Sequence, residues 1–416
     1  MKELEDLKLL KKIIEKNKKE IFESIYLDLK KSKEDILFSE YLPVINEINY
    51  FLKNLKKWKK RKKIYNEFFL LGGKSYIEYI PYGKVLIISP WNYPFQLALL
   101  PLVGAMGSGN KIILKPSEYS INTSKILKKI IEELHNENYK IVLGGSETIE
   151  EILKEKINYI FFTGSTEVGK IIYKKASEKL IPITLELGGK SPVIIEDKES
   201  IEKGVEKILW GKFLNLGQTC VAPDYILLPK GNLDIFLENV KKYLKNSLKE
   251  GKIINEKNKK RLKELLIGEN IIYQENNNKT DFPFTIILNP SENSKIMREE
   301  IFGPILPVIE YENLKEEYKK LDHKEIPLAI YIFTKHIDKE KISKIKAGGI
   351  TINGTLFQVT SKYLPFGGVG ASGIGKYHGK YSFETFSQER TIFDGTYINI
   401  KILNYFMKKI GKIFSS

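Results

Sequence analysis

The sequence predicts an α/β protein built on parallel sheets. Three observations carry the prediction. The chain has 416 residues, 42% hydrophobic and 29% charged, which gives apolar material for a large core and length for two or three domains. From Ser75 onward, short apolar runs alternate with stretches of helical period, the pattern of βαβ units. A second series of the same kind begins near Pro192 and runs past Asn353.

Residues 1–66 read as helical, with Leu4, Leu7, Leu10, Ile14, Ile21 and Ile25 near one face at three- and four-residue spacing. The period changes at Ser75. Tyr76, Glu78 and Ile80 alternate, predicting a strand or hairpin, and Val85–Ser89 predicts a buried strand. There follow helix 95–108, strand 111–114, helix 121–137, strand 140–142, helix 147–155 and strand 158–162. The polar, Asn- and Lys-rich stretch 254–285 predicts loops and an exposed helix. In Tyr397–Phe414, Ile398, Ile402, Tyr405, Phe406, Ile410 and Phe414 fall near one helical face, and Lys401, Lys408, Lys409 and Lys412 dominate the rest. Such a tail suits an anionic membrane surface, or docking against its own or a partner subunit, and the sequence leaves both open.

The formal net charge is +16, from 68 basic and 52 acidic residues. Only Arg61, Arg261, Arg298 and Arg390 of the basic residues are arginine. Base-reading and bidentate phosphate contacts favour arginine, so no nucleic-acid partner is expected. The run Lys56–Lys63, KKWKKRKK, is a nucleic-acid patch or, in its plainer reading, a solvated helix end. The one cysteine, Cys220, excludes an intramolecular disulfide and a cysteine-rich zinc module. The four histidines are scattered, and no metal site is expected. Met1–Lys12 is charged throughout and no run reaches the length of a spanning helix, so the expectation is a soluble, reduced, cytoplasmic chain, with membrane-peripheral contact through the tail left open.

Three pieces bear chemistry. Cys220 lies in GQTCVAPD (217–224), after the helical run 201–215 and a glycine turn, flanked by small residues. A lone cysteine is ordinarily a small buried hydrophobe, yet this setting leaves a thiol reachable for nucleophilic work. No histidine stands in a motif that would serve it as base. Glu186, in LELGGKSP (185–192), sits among apolar residues, where desolvation raises a carboxyl toward neutral pH. It is a base or a local structural acid. Asn92, between the prolines of PWNYPF (90–95) at the end of a strand, is a rigid hydrogen-bond donor for an oxyanion or part of an ordinary turn. Weaker signals surround these. TGSTEVG (163–169) turns into a helix N-terminus that suits a pyrophosphate. Lys115 and Glu118 end another strand and could hold ribose hydroxyls, and EIFGP (300–304) adds a carboxylate and an aromatic.

In combination these pieces resemble the aldehyde dehydrogenase superfamily, most closely its class 3 and fatty aldehyde members. The carrying motifs are PWNYPF, LKPSE (114–118), FTGSTEVGK (162–170), LELGGKSP, GQTCVAPDY (217–225), EEIFGP (299–304) and LPFGGVGASGIGKYHGKYSFETFS (364–387), in family order from about residue 70 to 395.

The resemblance implies a Rossmann-like dinucleotide-binding domain (1–188, with a bridging hairpin about 70–82), an α/β catalytic domain (189–370), and a return segment (371–416) with a bridging strand about 386–396. The bridge is the small β oligomerisation element and implies a homodimer. The resemblance also implies a catalytic set of Cys220 as nucleophile, Glu186 as deacylating base and Asn92 as oxyanion donor. NAD or NADP would be held by Lys115, Glu118, Gly164, Ser165, Val168, Gly169, Glu300 and Phe302. The implied reaction is oxidation of a medium- or long-chain aliphatic or aromatic aldehyde to a carboxylic acid. A CoA-acylating relative would not need Glu186, so that alternative is disfavoured, as is a purely nucleic-acid- or membrane-binding role. The chain is shorter than typical members, partly within 245–285.

Overall fold

A computed structural model describes residues 1–67, 70, 72–247, 250–275 and 280–414, apart from the side chains at 246–247 and 411–414. Leu71 of the expected hairpin, residues 248–249 and 276–279 of the shortened stretch, and the Lys412 and Phe414 side chains lie outside the described residues.

The described residues form three sheets. The first has six strands in the spatial order Gly373–Ile374, Ile183–Glu186, Tyr159–Thr163, Lys84–Ile88, Lys111–Lys115 and Tyr139–Ile141. All neighbours are parallel except the first pair. Successive side chains on a strand point to opposite faces. Val85 and Ile87 therefore join the core shared with the N-terminal helices, while Leu86 and Ile88 join the core on the other side. Burial on both faces is why these strands read as unbroken apolar runs. Helix Gln96–Ser108 is buried along its whole length, because it lies between this sheet and helices Lys2–Lys16 and Leu42–Trp58.

The connectivity fixes where a ligand can sit. From Lys84–Ile88 the chain moves to Lys111–Lys115 and Tyr139–Ile141 on one side, then crosses to Tyr159–Thr163 and Ile183–Glu186 on the other. The loops at this reversal leave in opposite directions and open a crevice beyond the carboxyl ends of the strands.

The second sheet has seven strands, ordered Ile271–Glu275, Phe284–Leu288, Ile305–Tyr311, Tyr225–Pro229, Pro192–Ile195, Ala329–Phe333 and Gly349–Ile352. Only the Ile271–Glu275 edge is antiparallel. Here the sequence reading of 254–285 as loops and an exposed helix falls short. Among its described residues the segment holds helix Glu256–Glu264, the strand Ile271–Glu275 and the start of the strand Phe284–Leu288. The exposed edge strand 271–275 carries no clean alternation, and the buried FTIIL run of Phe284–Leu288 is diluted by polar neighbours in sequence.

The third sheet is antiparallel and joins Lys62–Ile64, Lys74–Pro81 and Ser387–Asp394. Residues 62–64 are thus a strand rather than helix. The segment near 70–82 supplies one strand, whose partners come from before it and from near the chain's end. Glu78 accepts from Arg61 Nε at 2.7 Å and Arg390 Nε at 2.9 Å, so two of the four arginines clasp one carboxylate. Trp58 packs against Phe51 and Phe383, which makes the basic run 56–63 a helix end leading into this sheet. The tail forms helix Ile400–Phe414, and Ile400, Ile402, Tyr405, Met407 and Ile410 are all exposed on it. No described helix is long and apolar enough to cross a membrane.

Candidate active site

Four of the expected site positions line the carboxyl edge of the six-stranded sheet. Lys115 ends one strand and Glu186 another, Gly164 follows Thr163, and Asn92 lies four residues beyond Ile88. The register sets Ile88 beside Lys115 and Phe162, and Thr163 beside Glu186. Glu186 is 2% exposed, and neither carboxylate oxygen has a hydrogen-bond partner among the described residues. Burial pushes its pKa well above the usual carboxylate range.

Cys220 reaches the site differently. Helix Glu199–Phe213 ends in a turn in which Asn215, Leu216 and Gly217 all have positive φ, at 52°, 54° and 73°. A left-handed leucine is strained by roughly 1–3 kcal/mol; burial of Leu216 in a core on the seven-stranded sheet holds it there. At Gly217 a Cβ would also lie 2.5 Å from the Gly303 carbonyl oxygen. Buried polar groups pin the segment on both sides of Cys220. Asn92 Nδ2 donates to the Gln218 carbonyl at 3.0 Å, and the Tyr93 hydroxyl bonds Thr219 Oγ1 at 2.7 Å. Lys212 donates to the Pro223 carbonyl at 2.9 Å, and burial brings its pKa down to about 8. Tyr331 donates to the Val221 carbonyl.

The structure thus ties the Asn92 loop by hydrogen bonds to the segment that carries Cys220. It also sets Cys220 within the fields of Glu300 and Glu186. Burial first, then those two carboxylates, push the thiol well above its ordinary range, against backbone N–H groups of Cys220 and Val221 that pull it down. Glu300 is itself raised to about 8 by burial and by Asp224, and its Oε1 has no partner. It occupies space that only glycine leaves free, since a Cβ on Gly188 would lie 2.0 Å from Glu300 Oε2. Phe302 also has positive φ, 50°, and its ring meets Trp91 edge-on at 5.4 Å between centroids.

Lys190 ties three motifs together. Its ammonium pairs with Asp224 and donates to the Ile296 carbonyl at 2.7 Å and the Glu299 carbonyl at 2.9 Å. Asp224 in turn accepts from Ile301 N at 2.9 Å, and Arg261 donates to the Glu300 and Ile301 carbonyls.

The remaining expected residues lie farther along the edge. Lys115 is buried and pairs with the half-exposed Glu118 at 2.9 Å. Ser165 caps helix Thr166–Ser177, accepting from Val168 N, and Val168 is exposed. A Cβ on Gly169 would meet Leu187 Cδ2 at 2.5 Å, so this glycine lets the helix pack closely on the sheet. Lys115 stands three strands from Glu186, roughly 14 Å at ordinary strand spacing, and does not meet Cys220. The edge therefore offers, in order, a lysine–carboxylate pair, a helix N-terminus and an unpartnered Glu300 oxygen. That series fits an extended dinucleotide with hydroxyl groups at both ends and a pyrophosphate between.

Sequence reasoning passed over Lys31, Glu40, Lys190, Lys212, Asn215, Asp224 and Arg261. Lys190 and Asp224 lie inside motifs already singled out, where a buried opposite-charge pair could have been sought. Lys31 and Glu40 carry no signal among the many charges of the N-terminal helices.

The family model described as the aldehyde dehydrogenase family matches residues 4–392. The chain is 41% identical over 408 residues to a 4,4'-diaponeurosporen-aldehyde dehydrogenase of Staphylococcus aureus, covering 94% of this chain and 89% of that one. It is 37% identical over 401 residues to a dimeric NADP-preferring aldehyde dehydrogenase of Canis lupus familiaris, covering 93% and 88%. The solved structure described as the substrate-bound state of Staphylococcus aureus AldH superposes with a TM-score of 0.91 at 40% identity, over 94% of this chain and 89% of that one. Family, fold and reaction class agree with what the motifs imply: the chain belongs to the aldehyde dehydrogenase family and is an NAD(P)-dependent oxidoreductase that acts on aldehydes.

Proposed function

We propose that the chain oxidises medium- or long-chain aliphatic or aromatic aldehydes to carboxylic acids through a thioester on Cys220. The observation that carries this reading is that Cys220, from the side of the seven-stranded sheet, faces an unpartnered Glu186 and the amide of Asn92 at the edge of the six-stranded sheet. The Cys220 thiol releases its proton to solvent, and the thiolate sulfur adds to the aldehyde carbon. The second N–H of Asn92, whose first N–H is held by Gln218, and the Cys220 backbone N–H take the oxyanion; a fixed donor of this kind is worth roughly 3–4 kcal/mol. The dinucleotide, when bound, supplies the hydride acceptor, and Lys115, Glu118, Gly164, Ser165, Val168, Gly169, Glu300 and Phe302 would hold it. Glu186, raised by burial toward the pH at which a base works best, takes a proton from water. The water oxygen attacks the thioester carbon, the C–S bond breaks, and the acid leaves with the Cys220 sulfur freed.

The domain division at 188/189 and 370/371 is part of this proposal. It is supported by a first sheet confined to 84–186 apart from Gly373–Ile374, and a second confined to 192–352. A homodimer through the three-stranded sheet is supported by the long, largely exposed edge strand Ser387–Asp394, an open row of backbone groups suited to pairing. The exposed apolar face of the tail, flanked by Lys401, Lys408 and Lys409, is open to a second subunit or to an anionic lipid surface of a cytoplasmic membrane. Vesicle retention and native mass of a chain ending at residue 396 separate these two.

The deciding experiment is Glu186→Gln. The variant is expected to give one equivalent of reduced cofactor per subunit in a burst, then stall. Loss of the burst as well would show that Glu186 acts before deacylation and would remove the proposed division of labour. A chain-length series of aldehydes, each with NAD and NADP, reads the substrate class.

A further inference from the structure

A buried ion pair outside every recognised motif grips the loop that carries Asn92. Lys31 follows helix Lys18–Leu29, and Glu40 lies on a five-residue π-helical turn, Leu37–Tyr41. Their side chains are 2% and 0% exposed, and Lys31 Nζ meets Glu40 Oε1 at 2.6 Å. Burying two charges costs more than their attraction returns in many proteins, so such a pair is a poor device for stability alone. What these two groups touch gives them another use.

Lys31 Nζ donates to the Asn92 carbonyl at 2.9 Å and lies 3.8 Å from the centre of the Tyr93 ring. Glu40 Oε2 accepts from Phe95 N at 3.2 Å and Gln96 N at 3.0 Å. The pair therefore holds residues 92, 93, 95 and 96, all on the loop between strand Lys84–Ile88 and helix Gln96–Ser108 or at that helix's first turn. From the opposite side, Asn215 Nδ2 donates to the same Asn92 carbonyl at 2.8 Å. The Asn92 backbone is clamped between the first helices of the chain and the Cys220 turn, and its side-chain amide is held by the Gln218 carbonyl. The π-helical turn is the local distortion that brings Glu40 inward while its neighbour Phe38 stays 69% exposed.

We propose that Lys31 and Glu40 are positioning residues for the oxyanion donor Asn92, holding its loop at the geometry the transition state requires. The inference rests on the oxyanion reading of Asn92. A displacement of the donor by about 1 Å is enough for a roughly 100-fold loss, so the pair acts on rate and hardly on substrate affinity.

The test compares Lys31→Met, the neutral double variant Lys31→Met with Glu40→Gln, Asn92→Ala, and Lys31→Met combined with Asn92→Ala. Each is assayed below its own melting temperature for kcat, KM and the alkylation rate of Cys220 by iodoacetamide without aldehyde or dinucleotide. Alkylation passes through no oxyanion and reports the thiol's own access. Lys31→Met is expected to lower kcat at least tenfold, less than the roughly 10²–10³-fold of Asn92→Ala, with KM within twofold and alkylation unchanged. In the Asn92→Ala background it should cost nothing further. If Lys31→Met alone does not fold, the neutral double variant decides, because it leaves no lone charge buried. Wild-type kcat in that double variant overturns the proposal, and so does an undiminished further loss when Lys31→Met is added to Asn92→Ala. Wild-type kcat in Asn92→Ala itself would instead remove the oxyanion reading, and the inference would fall with it.

Discussion

The two walls of the site are built by different means. On the wall of the six-stranded sheet, Glu186 and Asn92 sit at or just past strand ends, where a parallel ladder fixes the backbone. On the wall of the seven-stranded sheet, Cys220 precedes the strand Tyr225–Pro229 and hangs on a turn with three consecutive positive φ values. A carboxyl base needs only burial to change its acidity, and a strand end gives it that. A nucleophile must be carried across to the opposite wall, so it needs a strained turn and buried polar groups to hold that turn. Lys212 and Asn215 do this on one side, Asn92 and Tyr93 on the other.

The largest effect should come from the nucleophile itself. Cys220→Ser is expected to cut aldehyde oxidation by roughly 10⁴-fold or more, as loss of a nucleophile does in other enzymes, while the melting temperature stays close to wild type because the side chain is nearly isosteric. Retained turnover would mean that the strained turn carries a structural cysteine, and the contrast between the walls would lose its chemical meaning.

Legibility in the sequence divides along the same line. The six-stranded wall is legible almost residue by residue, since its strands are short apolar runs ending in Gly, Pro or charged residues, and Glu186 and Asn92 stand at those ends. Helix Gln96–Ser108 matches its expected span nearly to the residue, since an all-apolar helix ending in Gly109 announces its own limit. Helix Ile121–Glu132 stops short of the 137 that its periodicity suggests. The other wall is legible only through motif resemblance. No local pattern marks Leu216 as left-handed, because a tertiary contact imposes that conformation. Nor does any pattern single out Lys31 or Lys212 in a chain with 68 basic residues; each is distinguished by burial, which is a property of the fold.

The turn can be tested by separating strain from crowding. Gly217→Ala adds both, with φ of 73° and the Gly303 carbonyl oxygen 2.5 Å from the new carbon. Gly231→Ala adds strain alone, at φ of 79° with nothing within 4 Å. Urea melts are expected to show Gly231→Ala destabilised by about 1 kcal/mol and Gly217→Ala by several times that. Only the second should also slow Cys220 alkylation. Equal losses at the two sites would show that the close approach to Gly303 relaxes freely and that the turn is less constrained than its geometry implies.

The last test, a pH-dependent one, bears on how burial raises a carboxyl's pKa at the first wall. Glu47, on helix Leu42–Trp58, is buried like Glu186 but lies away from Cys220 and accepts hydrogen bonds from Gly379 N at 2.7 Å and Ser382 Oγ at 3.2 Å. Burial raises it from 4.5 to about 7, against the pull of those donors and of Lys362. The folded protein then holds this proton more tightly than the unfolded chain does. Its contribution to stability is whole below about pH 4.5, falls as the pH rises toward 7, and is gone above that. A shift of that size corresponds to at most about 3 kcal/mol. Glu47→Gln fixes the neutral form, so the stability of wild type relative to the variant should decline between pH 5 and pH 8 in parallel urea melts. A flat difference would mean that a carboxyl with two donors stays ionised in this core. Only the complete absence of partners at Glu186 would then account for its raised pKa, and the base would owe its strength to missing hydrogen bonds more than to depth.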